Sequence, residues 1–288
     1  MYKRQLFFSP NTVGDLAKFD DEYWSGKVEL DWKPSDDLLF YGSVSRGVKS
    51  PGFNSGFLDQ TQVFGNNPPN SVPFDDETLW AYEIGGKSTI NDGTTRLNAS
   101  AFYYDYQDFQ TFQFLVLNQV IFNTDADVYG FEVEMTTAPI EGLDIGLGVG
   151  YLDTTAEDIP TLDGTSTEDR NMVAAPEWSL NASVRYEWQA LGGTMAVMGW
   201  GNLVKDIYYD IQNHPVSKED DYTVVNFRGS YLAGSERWEV YGELLNAFDE
   251  EYRKYTFDFT GTFGFNQEAY GAPQWWRAGF RMNFGGGI

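Results

Sequence analysis

The sequence has no cysteine and only one histidine, His214, among its 288 residues. The lack of cysteine excludes disulfide bonds and thiolate chemistry, and a single histidine leaves most zinc sites and most nucleophile–base pairs incomplete. His214 lies in the polar stretch Asn213-His214-Pro215, where a solvated side chain is the simplest expectation. The composition therefore predicts a protein that is not an enzyme and that has neither a metal site nor a cofactor.

Basic residues are scarce, because 19 lysines and arginines stand against 43 aspartates and glutamates, a net charge of −24. Such a chain repels the phosphates of nucleic acids, so neither DNA nor RNA is an expected partner. Aromatic residues are nonetheless abundant, with 22 Phe, 18 Tyr and 9 Trp. Disordered acidic chains are poor in aromatic residues, so a folded protein is expected.

Long apolar runs are also absent. No window in the sequence holds about 18 consecutive apolar residues, so no membrane-spanning helix is predicted. Near the N-terminus the only apolar run is Leu6-Phe7-Phe8, which is too short for the core of a signal peptide. Either the protein is cytosolic or its natural start lies upstream of Met1, and the strand pattern favours the second interpretation.

Alternation of apolar and polar residues is the main pattern that the chain does contain. From Trp178 to Trp188 every second residue is apolar and the residues between them are polar. Side chains alternate between the two faces of a β-strand, so this segment would have one apolar and one polar face. The same period predicts an all-β antiparallel meander of about eleven strands, near 23–33, 38–48, 78–90, 95–117, 120–138, 143–156, 174–189, 194–208, 222–233, 238–260 and 268–284.

The connections between these strands alternate in length. Short turns rich in Gly, Asn, Asp and Pro follow every second strand, at 34–37, 91–93, 139–142, 190–193 and 233–235. On the other side we expect long polar loops at 49–77, 157–173 and 209–221, with tall hairpins near Asn118 and Gly261. Short turns at one rim and long loops at the other are typical of an outer-membrane β-barrel.

Aromatic residues concentrate near the predicted strand ends, which suggests two belts at membrane interfaces. The belt beside the short turns would contain Trp32, Trp188 and Trp238, and the belt towards the long loops Trp178, Tyr208, Tyr209, Trp275 and Trp276. The predicted lipid-facing side chains include Phe131, Leu147, Leu180, Val184, Tyr186 and Phe280, whereas Glu132, Asn181, Arg185, Arg277 and Arg281 should face the concave side. The alternative is a soluble, secreted β-sandwich that binds a ligand.

Charged residues offer two candidate binding features. Arg46, Lys49, Arg277 and Arg281 are expected on or near the lumenal side, where they would either attract an anionic ligand or pair with glutamates of the same wall. The stretch from Asp153 to Asp169 is rich in carboxylates, which calcium prefers as ligands. Their spacing matches no known calcium loop, so a solvated acidic loop is the main expectation there.

Five stretches, in order along the chain, resemble the C-terminal part of the barrel of TonB-dependent receptors. The clearest are two. The stretch Tyr41-Gly42-Ser43-Val44-Ser45-Arg46-Gly47-Val48-Lys49-Ser50-Pro51-Gly52-Phe53-Asn54 is similar to a strand-and-loop motif of that family, and Leu245-Asn246-Ala247-Phe248-Asp249-Glu250-Glu251-Tyr252 is similar to its penultimate-strand motif. The other stretches are 26–37, 77–88 and 270–273. The resemblance extends from about Phe19 to Phe284.

The resemblance implies half of a 22-stranded transmembrane β-barrel with a plugged lumen. Residues 23–284 would be this C-terminal half, residues 1–22 a remnant of a preceding loop or strand, and residues 285–288 a tail. The plug domain and the segment that contacts TonB would lie upstream.

The function implied is active import of a scarce nutrient across the outer membrane of a Gram-negative bacterium, energised through the TonB complex. A ferric siderophore is the favoured cargo, with haem, cobalamin or a saccharide as alternatives, and outer-membrane lipid surrounds the barrel. The residues predicted to contact the ligand are Arg46, Lys49, Asn54 and Tyr209. A passive porin is the main alternative function.

The last predicted strand resembles the signal that the barrel-assembly machinery reads in outer-membrane proteins. The residues that carry this resemblance are Arg277, Gly279, Met282 and Phe284. Any closing strand of a barrel needs a similar alternation, so a purely structural role for these residues is the alternative.

Overall fold

The computed structural model describes residues 22–54, 73–115, 118–162 and 164–284. The strands in chain order are β1 (Gly26–Ser35), β2 (Leu38–Lys49), β3 (Gly52–Phe53), β4 (Pro73–Phe74), β5 (Glu77–Ile90), β6 (Thr95–Leu115), β7 (Asn118–Ile140), β8 (Leu143–Pro160), β9 (Thr167–Arg170), β10 (Trp178–Ala190), β11 (Gly193–Lys205), β12 (Ile207–Tyr208), β13 (Lys218–Glu219), β14 (Tyr222–Ala233), β15 (Trp238–Leu245), β16 (Arg253–Asp258), β17 (Asn266–Tyr270) and β18 (Trp275–Met282). A 3₁₀ turn, Pro215–Ser217, and one short helix, α1 (Thr260–Phe263), complete the described elements.

Twelve of the described strands form one antiparallel sheet. Its order is β1-β2-β5-β6-β7-β8-β10-β11-β14-β15-β18, with β9 paired to β8, so successive long strands are always neighbours. The three remaining pairs, β3–β4, β12–β13 and β16–β17, form small sheets of their own. The predicted all-β meander of eleven long strands is confirmed, and the sheet stays open because β1 and β18 lie at its opposite edges.

The short turns form where the sequence predicts them, and the turn between β5 and β6 shows the physical reason most clearly. In the turn between β5 and β6, Asn91, Asp92 and Gly93 have φ values of 54°, 54° and 89°. Asn, Asp and Gly adopt such angles at lower cost than other residues, which is why they are common in the turns of β-hairpins. The register that follows each turn keeps the apolar residues of neighbouring strands on the same face.

The sheet has one apolar and one polar face. Cross-strand pairing puts Leu180 beside Val149 and Leu203, and puts Asn181 beside Gly148 and Asn202. The register places on the apolar face Phe131, Leu147, Leu180, Val184, Tyr186 and Phe280, and on the polar face Glu132, Asn181, Arg185, Arg277 and Arg281. The predicted division of these residues between two faces is confirmed.

The apolar face is not packed against another layer in the described part of the chain. Large side chains on it, among them Leu147, Val184 and Phe280, are exposed. A sandwich would cover this face with a second sheet about 10 Å away. The exposed apolar face is therefore the opposite of what a soluble sandwich requires.

Two predicted strands, 238–260 and 268–284, are shorter than expected. The strand β15 ends at Leu245, and Asn246 and Asp249 then have φ values of 46° and 56°, which break the extended backbone. The side chain of Asn246 stabilises this break, because its Nδ2 donates to the Glu250 carbonyl at 2.8 Å and its Oδ1 accepts from the Glu250 N–H at 2.9 Å. The chain then forms the separate hairpin β16–β17 before it returns to the sheet as β18.

A small core lies at the long-loop end of the sheet. Ile211, from the segment between β12 and the 3₁₀ turn, packs against Ala126 of β7 and against Ala156 and Ile159 of β8. Ala126 lies on the polar face, because it is in phase with Glu132 along β7. The segment around Ile211 therefore crosses in front of the polar face to reach β7 and β8.

In the described residues there is no helix with the length and apolar character needed to span a membrane.

Candidate functional site

Ion pairs cross the polar face between the last three strands of the sheet. Arg228 of β14 lies 2.7 Å from Glu243 and 2.8 Å from Glu239, both on β15. On β18, Arg277 also pairs with Glu243, and Arg281 lies 3.3 Å from Glu239. Arg277 and Arg281 thus lie on the polar side as predicted, and they pair with glutamates of the same wall.

Arg46 does not lie on the polar face, so that part of the prediction is wrong. It is opposite Trp80 and in phase with Val44, which puts it on the apolar face near the end of β2. Its Nη1 donates to the Trp24 carbonyl at 2.5 Å, its Nη2 donates to Thr78 Oγ1 at 3.0 Å, and its guanidinium carbon is 4.5 Å from the centre of the Trp24 ring. The strand period decides the face of a residue whatever its charge.

Lys49, at the end of β2, is paired across the strands with Glu77 of β5. The Lys49 Nζ lies 3.5 Å from Glu77 Oε2, and the same oxygen accepts a hydrogen bond from the Gln110 N–H at 2.8 Å. The Glu77 residue is buried, so its carboxylate needs these partners. Lys49 therefore neutralises a buried acid of the wall.

Asn54 is only 3% exposed and is bound to the backbone of β7. Its Nδ2 donates to the Ile121 carbonyl and its Oδ1 accepts from the Ile121 N–H, both at 2.7 Å. The side-chain amide thus bonds both backbone groups of one residue, as a residue of a neighbouring β-strand would. The structure thus assigns Asn54 to anchoring the chain after β3 on β7.

Tyr209, 6% exposed, lies inside the loop region rather than at a lipid-facing belt. Its hydroxyl donates to the Arg253 carbonyl at 2.7 Å, and its ring centre is 6.0 Å from that of Tyr255. Burial, with smaller effects of Tyr222 and Glu219, raises the pKa of Tyr209 to about 12. The phenol therefore stays protonated as a hydrogen-bond donor at physiological pH.

A cavity of about 660 Å³ lies beside Tyr209, between the segment 209–216 and strand β16. We call it the loop cavity. Its aromatic wall consists of Phe112, Tyr209, Tyr255 and Phe257. A volume of this size is within the range of ligand pockets, which are mostly apolar with a few polar groups.

The polar groups of the loop cavity include two carboxylates and one imidazole. Two carboxylates converge on His214, because its Nδ1 is 3.4 Å from Asp258 Oδ2 and 3.8 Å from Asp210 Oδ2. Thr256 also lines the cavity and is 1% exposed. His214 is therefore a loop-cavity residue and not the fully solvated side chain that the sequence suggested.

Two side chains hold the segments around the loop cavity together. Arg253 of β16 lies 2.5 Å from Glu219, donates to the Val216 carbonyl at 2.9 Å and lies 3.3 Å from Glu268. Gln212 donates from Nε2 to Gln113 Oε1 at 2.7 Å. Sequence reasoning missed both, since the partners are 34 and 99 residues apart and no local pattern connects them.

Residues 3–247 match the family model of the TonB-dependent receptor-like β-barrel. The chain belongs to this family. Solved structures of similar fold include the ferric yersiniabactin uptake receptor from Yersinia pestis, with 20% identity over 92% of this chain and a TM-score of 0.73. The ferric preacinetobactin receptor from Acinetobacter baumannii has 19% identity over 89% of this chain and a TM-score of 0.64. A copper transporter is similar over 90% of this chain with 15% identity and a TM-score of 0.65.

The chain spans 38%, 36% and 39% of these three proteins, so it corresponds to less than half of each of them. At such low identity the likeness establishes the fold alone. The open meander described above is the fold that a segment of a larger barrel of this family would have.

Two aromatic bands cross the apolar face of this barrel segment. Beside the short turns, Trp32 stacks on Phe40 at 5.6 Å and Tyr186 on Trp188 at 5.7 Å. Towards the long loops the band contains Trp80, Tyr82, Tyr103, Tyr129, Tyr151 and Trp178. Trp275 is an exception to the prediction, because its pairing with Leu245 puts it on the polar face.

The hydroxyls of the second band point towards acids at the rim. Tyr129 donates to Asp153 Oδ2 at 2.6 Å, and Tyr103 donates to Asp127. A ring with its body on an apolar surface and its hydroxyl at a polar edge is the arrangement that a membrane interface favours. In β10 the two bands are ten positions apart, from Trp178 to Trp188, and about 9–11 residues is the length of a tilted strand that crosses a bilayer.

The four residues of the predicted assembly signal lie at or just after the edge strand β18. Arg277 pairs with Glu243, and a Cβ added at Gly279 would overlap the ring of Tyr241 on β15. Met282 is opposite Trp238, while Phe284 follows the strand and is exposed. The internal contacts of Arg277 and Gly279 are those of a packed strand, and the signal itself stays a prediction.

The acidic stretch from Asp153 to Asp169 uses several carboxylates internally. Asp158 accepts a hydrogen bond from Thr167 Oγ1 at 2.7 Å, and Asp169 accepts one from the Asp158 N–H at 3.1 Å. Within the described ranges no three His, Asp or Glu side chains are grouped so that they could hold a metal ion. These carboxylates of the stretch therefore bond to groups of the protein itself.

Proposed function

We propose that this chain forms part of the wall and the ligand-facing loops of an outer-membrane receptor that imports a scarce nutrient. The observation that carries the proposal is the sheet itself, with an apolar face edged by two aromatic bands and a polar face crossed by folded loops. The first face suits lipid, and the second suits a water-filled lumen that narrows at its mouth. The family membership of the chain supports the same assignment.

The favoured cargo is a ferric siderophore, with TonB as the source of energy through a segment of the complete receptor. Support comes from similar structures, several of which carry the names of ferric-siderophore receptors. The partners of the complete protein would be outer-membrane lipid, the TonB complex and the barrel-assembly machinery of a Gram-negative cell. The chain would contribute about eleven of the 22 strands of a barrel of this type.

A passive porin is disfavoured by the loop that crosses the polar face. Ile211 is 1% exposed and sits in the core formed with strands β7 and β8, so the loop does not leave the mouth open at that point. A diffusion channel needs an open water path, whereas a receptor needs walls that contact a ligand.

The experiment is uptake by the complete receptor in cells that lack their own copy. We expect saturable accumulation of ⁵⁵Fe from a ferric siderophore, which is lost when TonB is deleted or the proton-motive force is collapsed. A porin would give uptake that rises linearly with concentration and ignores both treatments. Uptake with these porin properties would overturn the proposal.

A further inference from the structure

The loop cavity combines acidic groups with aromatic rings. Among the described residues that line it are Asp210, Asp258 and His214, and no lysine or arginine is among them. The nearby cation Arg253 is held by Glu219 and Glu268.

Polar atoms of the loop cavity lack hydrogen-bond partners within the described part of the chain. They are Asp210 Oδ2 and the hydroxyl of Thr256, a side chain that is 1% exposed. The other carboxylate oxygen of Asp210 accepts from the His214 N–H at 3.4 Å, so Oδ2 alone remains for another donor. Buried polar atoms are nearly always satisfied, so a donor from a bound molecule is the natural complement.

Asp258 presents its carboxylate in a similar way. Its Oδ1 accepts from the Thr260 N–H at 2.8 Å and from the Thr260 hydroxyl at 2.5 Å, which orients the group. Its Oδ2 is directed at the His214 ring at 3.4 Å. Two oriented carboxylate oxygens at one end of an aromatic-walled cavity form a site for a positively charged donor.

The aromatic wall favours a flat cation in particular. Tyr255 lies between two other rings of the wall, with its centre 4.3 Å from that of Phe257 and 6.0 Å from that of Tyr209. Burial raises the pKa of Tyr255, and the charge of Asp210, which lines the same cavity, adds to this effect. A cationic ring gains from both stacking on the aromatic faces and attraction to them.

We propose that the loop cavity binds a flat, positively charged group of the ligand, of the arylamidinium or arylammonium class, between its aromatic wall and the carboxylates of Asp210 and Asp258. The inference rests on the proposed receptor function and deepens it, since it assigns to the cargo a cationic aromatic part.

Direct binding to the full chain, folded in detergent micelles, tests this inference. The probe is benzamidine, and benzoate is the matched anion with the same ring. We expect benzamidine to bind at least tenfold more tightly than benzoate in equilibrium dialysis. Asp210→Asn and Asp258→Asn should each weaken benzamidine binding by about tenfold, as loss of a charged hydrogen-bond partner does.

The matched control is Asp36→Asn, which makes the same change of charge in the exposed turn between β1 and β2. It should leave benzamidine binding unchanged. Equal binding of benzoate and benzamidine would overturn the inference. So would Asp210→Asn and Asp258→Asn proteins that keep their β-sheet circular dichroism and bind benzamidine as the control does.

A second measurement needs no variant. A benzamidine that carries a photoreactive diazirine is crosslinked to the unchanged protein, and the labelled peptides are identified by mass spectrometry. Labels within 209–216 and 253–260 support the inference, whereas labels only elsewhere contradict it. Energy-independent uptake with probe binding intact would overturn only the proposed function, and energised uptake without probe binding would overturn only the inference about the loop cavity.

Discussion

At the scale of single residues, glycines on the polar face make room for tyrosine rings of the neighbouring strand. A Cβ added at Gly279 would overlap the Tyr241 ring, and one added at Gly85 would overlap the Tyr41 ring. The Tyr241 ring is also covered by Arg228, whose guanidinium carbon lies 4.1 Å from the ring centre. A ring that lies flat over a glycine replaces the packing that the glycine lacks.

Replacing Gly279 by alanine should therefore destabilise the sheet. We expect a loss of about 1–3 kcal/mol in the free energy of unfolding, which is the usual cost of overpacking. The measurement is urea unfolding in detergent, followed by tryptophan fluorescence. Gly242→Ala is the matched control on β15, since a Cβ there meets nothing within 4 Å. Equal effects of the two changes would contradict this account of Gly279.

Asn54→Ala should release the chain after β3 from β7. The change leaves the N–H and carbonyl of Ile121 without the two 2.7 Å bonds, at a cost of about 1–3 kcal/mol for a buried pair. Hydrogen exchange measured by mass spectrometry should become faster at 118–123. Asn202→Ala, at an exposed position of β11, serves as the control. Unchanged protection of 118–123 would show that Asn54 does not anchor this strand.

The residue scale also shows where sequence reasoning succeeds and where it fails. The alternation places Leu180 and Asn181 on opposite faces because the strand period is strict. Arg46 is expected on the lumenal side, but it lies two residues from Val44 and therefore on the same, apolar face of β2. The ligand contacts of Asn54 and Tyr209 stay a prediction. What the sequence does not show is their bonds to Ile121 and Arg253, which come from distant segments that no local pattern identifies.

At the scale of elements, strands and short turns are predictable from the sequence and the loop region is not. The residues Asn91, Asp92 and Gly93 favour the left-handed backbone of the turn by their own residue types. The end of β15 at Leu245 is not predictable from the sequence, because asparagine occurs in extended and in left-handed backbone, and the hydrogen bonds of Asn246 with Glu250 are known only from the structure. The loop cavity is likewise beyond prediction, since it is assembled from five separate segments.

The hairpin β16–β17 should depend on Arg253. In Arg253→Gln the contacts with Glu219, Glu268 and the Val216 carbonyl are lost or weakened, and the two acids are left without their cation. We expect limited proteolysis to cut within 253–270 at least several-fold faster, while the sheet remains intact. Arg237→Gln, in the opposite turn, is a control for the loss of one positive charge. Equal cleavage rates in the two variants would rule out this role for Arg253.

The loop region should also open at alkaline pH. Tyr209 has a folded-state pKa of about 12 against an ordinary value of 10, so its neutral form is favoured by folding. This stabilisation is complete below pH 10 and is lost as the pH rises through 12. The difference in absorbance at 295 nm between the unchanged protein and Tyr209→Phe should therefore show a step near pH 12. A step near pH 10 would mean that the phenol is exposed.

At the scale of the whole molecule, the two faces of the sheet define which side contacts lipid. The apolar face has no covering layer, and the polar face is crossed by loops. Neighbouring positions on β10 test this orientation. Leu180→Arg puts a charge on the apolar face and should reduce insertion into liposomes, at a cost of about 2–4 kcal/mol near the bilayer centre. Asn181→Arg, one residue along on the polar face beside Gly148 and Asn202, should insert normally.

The outcome is read as the fraction of protein protected from protease after mixing with liposomes. Equal insertion of the two arginine variants would contradict the proposed orientation. If only Asn181→Arg failed to insert, the polar face would be the one that contacts lipid.

The unequal lengths of the strands have a mechanical consequence. Strands β6 and β7 contain 21 and 23 residues, whereas β15 and β18 contain 8 each. At about 3.3 Å per residue, the strands of the first pair are more than twice as long as those of the second. Beyond the ends of β15 and β18, irregular segments join the hairpin β16–β17 to the sheet, and no ladder hydrogen bonds continue the two strands into it. The side of the rim formed by β6 and β7 is therefore stiffer than the side formed by the hairpin β16–β17, and the same force displaces the hairpin further.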